Sequence, residues 1–241
     1  MIVIYFVRAI LCDLLVYLSM AVIGIAGAPL ILFAKKGNYK LIKFFCSTVF
    51  FILRHVARLK ISFRGQIPTG ETIICAKHQS FLDVLMLLYI LPEPRFIMKK
   101  ELLGAPVVGS YARSIGCIPI DRSQKGEALR SIVSNLKANK SGQTVIYPQG
   151  TRVLPGSKEP YKVGAGVIYK KIDTKFCLVG TNTGMFWGRR SFFRYPGTAV
   201  IEFLGEVSSD LSMVDFMAEI EDRIEKNSEM LMREALKKYK T

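Results

Sequence analysis

The stretch TIICAKHQSFLDVLMLLYIL, residues 72–91, contains the transition that decides the fold. Its first five residues, Thr72–Ala76, are a short β-branched and apolar run typical of a strand. After a brief polar segment, Phe81–Leu91 has the length and composition of a helix. A strand that leads through a short loop into a helix is the building unit of α/β proteins.

The same alternation continues on both sides of this stretch, after residue 60. It predicts one α/β sandwich around a largely parallel or mixed sheet, and 241 residues suit one such domain. The predicted strands are Ile61–Arg64, Thr72–Ala76, Arg95–Met98, Cys117–Ile120, Thr144–Tyr147, Phe176–Thr181 and Thr198–Leu204. The predicted helices are Phe81–Leu91, Gly126–Ala138, Pro160–Ile172 and the amphipathic, core-packing Met213–Lys238.

Residues 1–59 are far more apolar and predict a two-helix membrane anchor that precedes the α/β domain at 60–241. No charged residue occurs from Leu14 to Ala34, a length that can cross a hydrocarbon core of about 30 Å. The alternatives are a re-entrant segment broken near Pro29 and a cleaved signal peptide, although no basic region begins the chain. If the segment spans, its C-terminal end should face the cytoplasm, because lysines follow the apolar run: Lys35, Lys36, Lys40 and Lys43.

The second predicted anchor helix covers residues 39–59. Its uncharged centre, Phe44–Leu53, is too short to span a membrane. Basic residues flank this centre, a pattern typical of a helix at the headgroup boundary. The alternative is that both helices simply pack on the globular domain.

The net charge of +15 predicts a polyanionic partner, either nucleic acid or the cytoplasmic face of a membrane. No zinc-finger spacing accompanies the charge, and the apolar N-terminus favours the membrane. The five cysteines include no C-x-x-C pair, which favours free thiols and a reducing compartment. We therefore expect the protein to be located at the cytoplasmic face of the cell inner membrane.

Two titratable residues follow the predicted strand Thr72–Ala76. His78 lies where the strand gives way to a helix, with Ser80 as a candidate N-cap. A histidine there can take a proton from an alcohol near neutral pH. Asp83, one turn into the helix, can orient the ring from its other nitrogen. By itself this spacing fits a structural role equally well.

Two further predicted strands end in arginine. GCIPIDR presents Arg122, and YPQGTR presents Arg152 after a glycine-containing turn. Because carboxyl ends of parallel strands meet at one edge of a sheet, we expect both guanidinium groups near His78. Their planar fork matches phosphate oxygens, and Lys99 adds a point charge. No phosphate loop and no G-x-S-x-G elbow occurs, and two isolated histidines make a poor metal site.

HQSFLD, GCIPIDR and YPQGTR, in this order, closely resemble three motif blocks of the glycerolipid acyltransferase family, in particular the bacterial 1-acylglycerol-3-phosphate acyltransferases. The resemblance extends through KKEL at Lys99–Leu102 and NTGMFWG at 182–188, and thus covers roughly residues 60–205.

The resemblance implies acyl transfer from a thioester of coenzyme A or acyl carrier protein to the sn-2 hydroxyl of lysophosphatidic acid. The product is phosphatidic acid, for phospholipid biosynthesis, and neither an acyl-enzyme nor a metal or other cofactor is implied. His78 would be the general base and Asp83 its orienting residue. The implied phosphate-binding residues are Arg122, Arg152, Lys99, Gly150 and Thr151.

The sequence departs from the family pattern at two positions. Gln149 replaces the usual glutamate, so a catalytic carboxylate is not required there, and Leu178 replaces a proline. The alternatives to lysophosphatidic acid acylation are acylation of another lysolipid, such as lyso-ornithine lipid, and non-catalytic lipid binding. A nucleic-acid binder is the remaining alternative.

Overall fold

The structure is a computed structural model that describes residues 2–29, 37–121, 123 and 125–238. Its strands are β1 (Leu59–Arg64), β2 (Thr72–Ala76), β3 (Pro94–Lys99), β4 (Ile118–Ile120), β5 (Gln143–Ile146), β6 (Lys175–Thr181) and β7 (Gly197–Glu206). Its helices include α1 (Ile2–Ala26), α2 (Gly37–Ile52), α3 (Phe81–Ile90), α4 (Val108–Ser114), α5 (Lys125–Ala138), α6 (Gly164–Lys171) and α7 (Met213–Lys238). All seven predicted strands are confirmed to within two residues.

The strands form one mixed sheet in the order β1-β7-β6-β2-β5-β3-β4. Every neighbouring pair is parallel except β6 and β7. The five strands from β6 to β4 therefore present their carboxyl ends at one edge of the sheet, where ligands usually bind. The mixed α/β sandwich is confirmed.

Alternating residues of the central strand β2 face two separate hydrophobic layers. Ile74 and Ala76 pack with α1, α2 and α3 on one face of the sheet. Ile73 and Cys75 pack with α5, α6 and α7 on the other. This period-two division follows from strand geometry and explains why every residue of β2 is buried. The predicted core side of α7 is confirmed by Phe216, Ile220 and Ile224, which are fully buried.

Two helices differ from their sequence predictions. Helix α6 begins at Gly164 rather than at Pro160, because the Lys162 amide donates to the carbonyl of Pro148 at 3.0 Å and is drawn away from the helix. The short helix α4 was not predicted from the sequence, since its seven residues include glycine and two serines.

The two N-terminal helices pack on the same face of the sheet as α3. Helix α2 is followed by a π-helical turn, Leu53–Ala57, so the predicted helix at 39–59 is confirmed. Helix α1 begins well before Leu14 and ends at Ala26, and the last part of the predicted uncharged run, residues 30–34, lies outside the described residues. Among the described helices, Val3–Ala26 is the one long and apolar enough to cross a membrane.

Helix α1 has one face on the protein and one face exposed. Cys12 and Val16 join the core beneath it, and the Tyr111 hydroxyl donates to the Gly24 carbonyl at 3.3 Å. The large exposed side chains of α1 are Val3, Ile4, Phe6, Val7, Ile10, Leu11, Leu14, Tyr17, Leu18, Val22 and Ile25. So large an apolar surface indicates an interaction site.

Candidate active site

His78 and Asp83 are brought together by the capping of α3. Ser80 is the N-cap residue, and its hydroxyl accepts from the Leu82 amide at 3.0 Å. Asp83 completes the capping box: its Oδ2 accepts from the amides of Gln79 and Ser80 at 2.8 and 2.7 Å. The other oxygen, Oδ1, lies 2.9 Å from His78 Nδ1. The five-residue spacing thus follows from helix-cap geometry.

This contact assigns different roles to the two nitrogens of His78. When Asp83 is a carboxylate it accepts a hydrogen bond from Nδ1–H, which leaves Nε2 as the basic nitrogen. The Asp83 side chain is fully buried, whereas 17% of the His78 side chain is exposed. The ring is therefore oriented from within and open to a substrate on one side.

Tyr147, directly after β5, is a site residue that the sequence patterns did not single out. Its ring stacks on His78, with centroids 3.9 Å apart and 14° between the planes. Its hydroxyl donates to Asp83 Oδ1 at 3.2 Å. Burial, with the Asp83 carboxylate, raises the pKa of Tyr147 well above its ordinary value, so the phenol remains a donor. Its place at the start of YPQGTR was the available signal.

The YPQGTR loop lies against the histidine loop. The Val153 amide donates to the His78 carbonyl at 2.8 Å. Gly150 has a φ of +68°, in the left-handed region that favours glycine. A Cβ there would lie 2.7 Å from Lys162 Nζ, so an exposed ammonium group lies over this turn. Thr151 and Arg152 follow and are half-buried.

The other predicted cationic residues have different outcomes. Lys99 is exposed at the end of β3, at the same edge of the sheet. The neighbouring Lys100 is engaged by Asp121. Arg122 lies outside the described residues. An unpredicted arginine, Arg189, donates from Nη1 to the Arg152 carbonyl at 3.2 Å. The rim beside the YPQGTR loop therefore has at least three cationic side chains: Arg152, Lys162 and Arg189.

The segment after β6 forms one wall of the site. The Ser80 hydroxyl donates to the Trp187 carbonyl at 2.5 Å, and the Gly184 amide donates to Gln79 Oε1 at 3.1 Å. The Arg194 guanidinium stacks over the Trp187 ring at 4.1 Å. This wall therefore supports the N-terminus of α3, which carries Asp83.

A buried charged network lies behind the histidine loop. Lys77 is 2% exposed, and its ammonium nitrogen lies 2.5 and 2.7 Å from the two carboxylate oxygens of Glu225 in α7. The Tyr161 hydroxyl donates to the same carboxylate at 2.9 Å. Gln149 Nε2 donates to the Glu159 carbonyl at 2.9 Å and lies 3.5 Å from Glu225 Oε1. No sequence signal linked Glu225 to this site, because it is 148 residues from Lys77.

The arrangement combines an oriented histidine with a cationic rim at the carboxyl edge of the sheet. Such a site can take a proton from a hydroxyl group while holding an anionic part of the same molecule. Among the described residues, no group of three or more His, Cys, Asp or Glu side chains is arranged to hold a metal.

Comparison with known protein families matches residues 58–202 to the Acyltransferase family. The chain is similar to the 1-acyl-sn-glycerol-3-phosphate acyltransferase of Helicobacter pylori, with 33% identity over 217 residues, 85% of this chain and 88% of that protein. It is also similar to the Pseudomonas aeruginosa protein of the same name, with 27% identity over 201 residues, 80% of this chain and 77% of that protein.

The fold matches a crystal structure, that of the 1-acyl-sn-glycerophosphate (LPA) acyltransferase PlsC from Thermotoga maritima. The TM-score is 0.79, and the match covers 94% of this chain and 97% of that one. At 22% identity this likeness establishes the fold alone. The family is established by sequence, through the match to the family model and to the Helicobacter protein.

Proposed function

Since this chain belongs to the Acyltransferase family, and is therefore an acyltransferase, we propose that its acceptor is 1-acylglycerol-3-phosphate (lysophosphatidic acid). It transfers a fatty acyl group from a thioester of coenzyme A or acyl carrier protein to the sn-2 hydroxyl, giving phosphatidic acid. The observation that carries the proposal is the His78–Asp83 contact of 2.9 Å beside a cationic rim.

In the proposed reaction, His78 Nε2 removes the proton of the sn-2 hydroxyl. The oxygen attacks the thioester carbonyl carbon, the tetrahedral intermediate collapses, and the carbon–sulfur bond breaks. The departing sulfur accepts this proton from Nε2 and leaves as a thiol. The transfer is direct and uses no acyl-enzyme, metal or other cofactor. Asp83 orients the ring and stabilises the imidazolium, as in other base–orienter pairs.

Arg152, with Lys99 and Arg122, is the proposed phosphate-binding set, and Gly150 and Thr151 shape the turn that presents it. Lys162, over Gly150, extends the set. A phosphate carries more charge than the zwitterionic headgroup of lyso-ornithine lipid, and paired arginines bind it in bidentate fashion. This favours lysophosphatidic acid over a phosphate-free acceptor.

Residues 1–59 are the proposed membrane-attachment unit, preceding the catalytic domain at 60–241, on the cytoplasmic face of the inner membrane. Helix α1 is about 37 Å long and contacts the domain near both ends, through Tyr5 with Tyr195 and through Gly24 with Tyr111. A helix that crossed the bilayer would carry one end away from the domain. We therefore infer that α1 lies in one leaflet with its exposed face in lipid.

The test is an acceptor comparison with the purified protein. Lysophosphatidic acid and lyso-ornithine lipid are supplied separately, each with acyl-coenzyme A and with acyl-acyl carrier protein. We expect acylation of the phosphate-bearing acceptor, and activity on the phosphate-free acceptor alone would contradict the proposal.

The variant His78→Ala tests the catalytic role against simple lipid binding. We expect this variant to lose acyl transfer while it still sediments with membranes. A variant that keeps its turnover would remove His78 from the mechanism.

A further inference from the structure

The segment Gly188–Tyr195, GRRSFFRY, presents both aromatic and basic side chains to solvent. We name it the 188–195 loop; it connects the Trp187 wall to β7. Phe192 and Tyr195 are 40% and 42% exposed, and Arg189 and Arg190 are exposed as well. Aromatic and arginine side chains side by side are typical of surfaces at a membrane–water boundary.

The apolar part of the loop is continuous with the exposed face of α1. The Phe192 ring lies 5.3 Å from that of Phe6, and the Tyr195 ring lies 6.0 Å from that of Tyr5. Both partners belong to the helix whose outward face is the proposed membrane contact. The loop therefore extends that face rather than forming a separate patch.

The loop is held in this position by an ion pair between a buried arginine and a half-buried aspartate. Arg194 is 6% exposed, and its Nη2 lies 2.6 Å from Asp13 Oδ1 on α1. Its Nη1 donates to the carbonyls of Ser191 and Phe192 at 3.0 and 2.8 Å. A charged residue within an apolar helix is costly unless it is paired, so Asp13 has a structural reason to be there. The exposed aromatic rings are thus presented by a fixed backbone.

We propose that the 188–195 loop is a second membrane-contact element, which inserts Phe192 and Tyr195 at the acyl–headgroup boundary. Arg190 then faces the phosphates of anionic lipids. This inference rests on the proposed attachment of α1 to one leaflet.

The 188–195 loop lies next to the candidate active site. Trp187 directly precedes the loop, and its carbonyl accepts a hydrogen bond from the Ser80 hydroxyl. Ser80 is the N-cap residue of the helix that carries Asp83. The Arg189 guanidinium donates a hydrogen bond to the Arg152 carbonyl in the YPQGTR loop. The bilayer contact therefore adjoins the catalytic site, so a lysolipid moves from the leaflet toward His78 without leaving the lipid surface.

Trp187 is the only tryptophan, and its ring lies under Arg194 of the loop, so its fluorescence reports on the surroundings of the loop. The full chain is mixed with vesicles of phosphatidylcholine and phosphatidylglycerol whose acyl chains are brominated. We expect quenching of Trp187, reduced in the variant Phe192→Ala/Tyr195→Ala. The matched control is Val214→Ala/Met230→Ala, two exposed apolar residues of α7. Equal quenching in the loop variant and the original chain would overturn the proposal, as would no quenching in the original chain.

The basic part of the loop is tested with Arg190→Gln, against Arg130→Gln on α5, which packs on the other face of the sheet. We expect about fivefold weaker binding to anionic vesicles for Arg190→Gln alone. An unchanged affinity contradicts the headgroup contact.

A kinetic comparison separates membrane contact from an effect on catalysis. Phe192→Ala/Tyr195→Ala should lower acylation of a long-chain acceptor in vesicles but preserve it with a water-soluble, short-chain acceptor. Equal losses on both would make the loop part of the catalytic site and overturn the proposal. If the original chain acylates neither acceptor, the proposed function fails, while the quenching result still decides the loop.

Discussion

Lys77, the buried residue before His78, forms an ion pair with the half-buried Glu225, its ammonium nitrogen 2.5 Å from one carboxylate oxygen and 2.7 Å from the other. This pair joins the C-terminal helix α7 to the loop that carries the proposed general base. Gln149, which replaces a glutamate of the family pattern, lies 3.5 Å from the same carboxylate. The carboxylate that pairs with Lys77 therefore belongs to α7.

We predict that Glu225→Gln lowers the free energy of unfolding by about 3 kcal/mol, because it leaves the buried Lys77 ammonium without its counter-charge. Denaturant unfolding in mild detergent measures this loss. Glu221→Gln, an exposed position one turn earlier on α7, is the control and should have little effect. Replacing both partners, Lys77→Met with Glu225→Leu, should recover much of the stability, and a double variant as unstable as Glu225→Gln would contradict this account.

Gln149→Glu should reduce both stability and turnover, although it restores the family residue. It places a second carboxylate beside Glu225 and removes the amide donor to the Glu159 carbonyl. In the combination with Glu225→Gln, the single negative charge moves to position 149, and we expect partial recovery. A double-mutant cycle on the unfolding temperature and kcat measures the coupling. Additive effects would show that the two side chains do not share one charge.

Asp83→Asn should lower kcat by about 10³-fold or more with little change in the acceptor KM, because the amide no longer secures the basic form of Nε2. It also weakens the cap of α3, so the unfolding temperature should fall modestly. Steady-state kinetics in parallel with thermal unfolding separates the two effects. Turnover near that of the original chain would exclude Asp83 as the orienting residue.

Gly150→Ala should raise the acceptor KM. Alanine at a φ of +68° costs about 1 kcal/mol or more, and the new methyl group displaces the Lys162 ammonium from the turn. Gly205→Ala is the control, because Gly205 lies in β7 with a φ of +83°, and a methyl group added there would meet no atom within 4 Å. Both variants should lose stability, and only Gly150→Ala should lose acceptor affinity. A KM equal to that of the control would remove this turn from phosphate binding.

Stability should decline above pH 10. Burial raises the pKa of Tyr147 and of Tyr161, with Asp83 and Glu225 as the respective second causes. Above pH 10 both phenols ionise in the unfolded state but stay protonated in the folded state. Their contribution to the free energy of unfolding is therefore complete below pH 10 and decreases above it. The expected loss is about 1.4 kcal/mol per tyrosine for each pH unit above 10. Unfolding of Tyr161→Phe across this range should show a shallower decline, and an identical slope would contradict the assignment.

The local sequence determined the elements and much of the candidate site. Strand β2 and helix α3 follow from a β-branched run and an apolar helical run, and the Ser80–Asp83 capping box needs only neighbouring residues. The capping geometry then brings Asp83 to His78. The sequence likewise predicted cationic residues at one edge of the sheet, because parallel strands end at the same edge.

Only the tertiary structure decided which distant residues complete the site. The stacking of Tyr147 on His78, the pairing of Lys77 with Glu225 and the bond from Arg194 to Asp13 depend on strand order and on the packing of α7 and α1. Local patterns cannot encode these contacts, because each joins segments 69 or more residues apart whose approach is set by burial of the whole core. The sequence therefore specified the proposed catalytic pair, and the fold decided which distant residues support it.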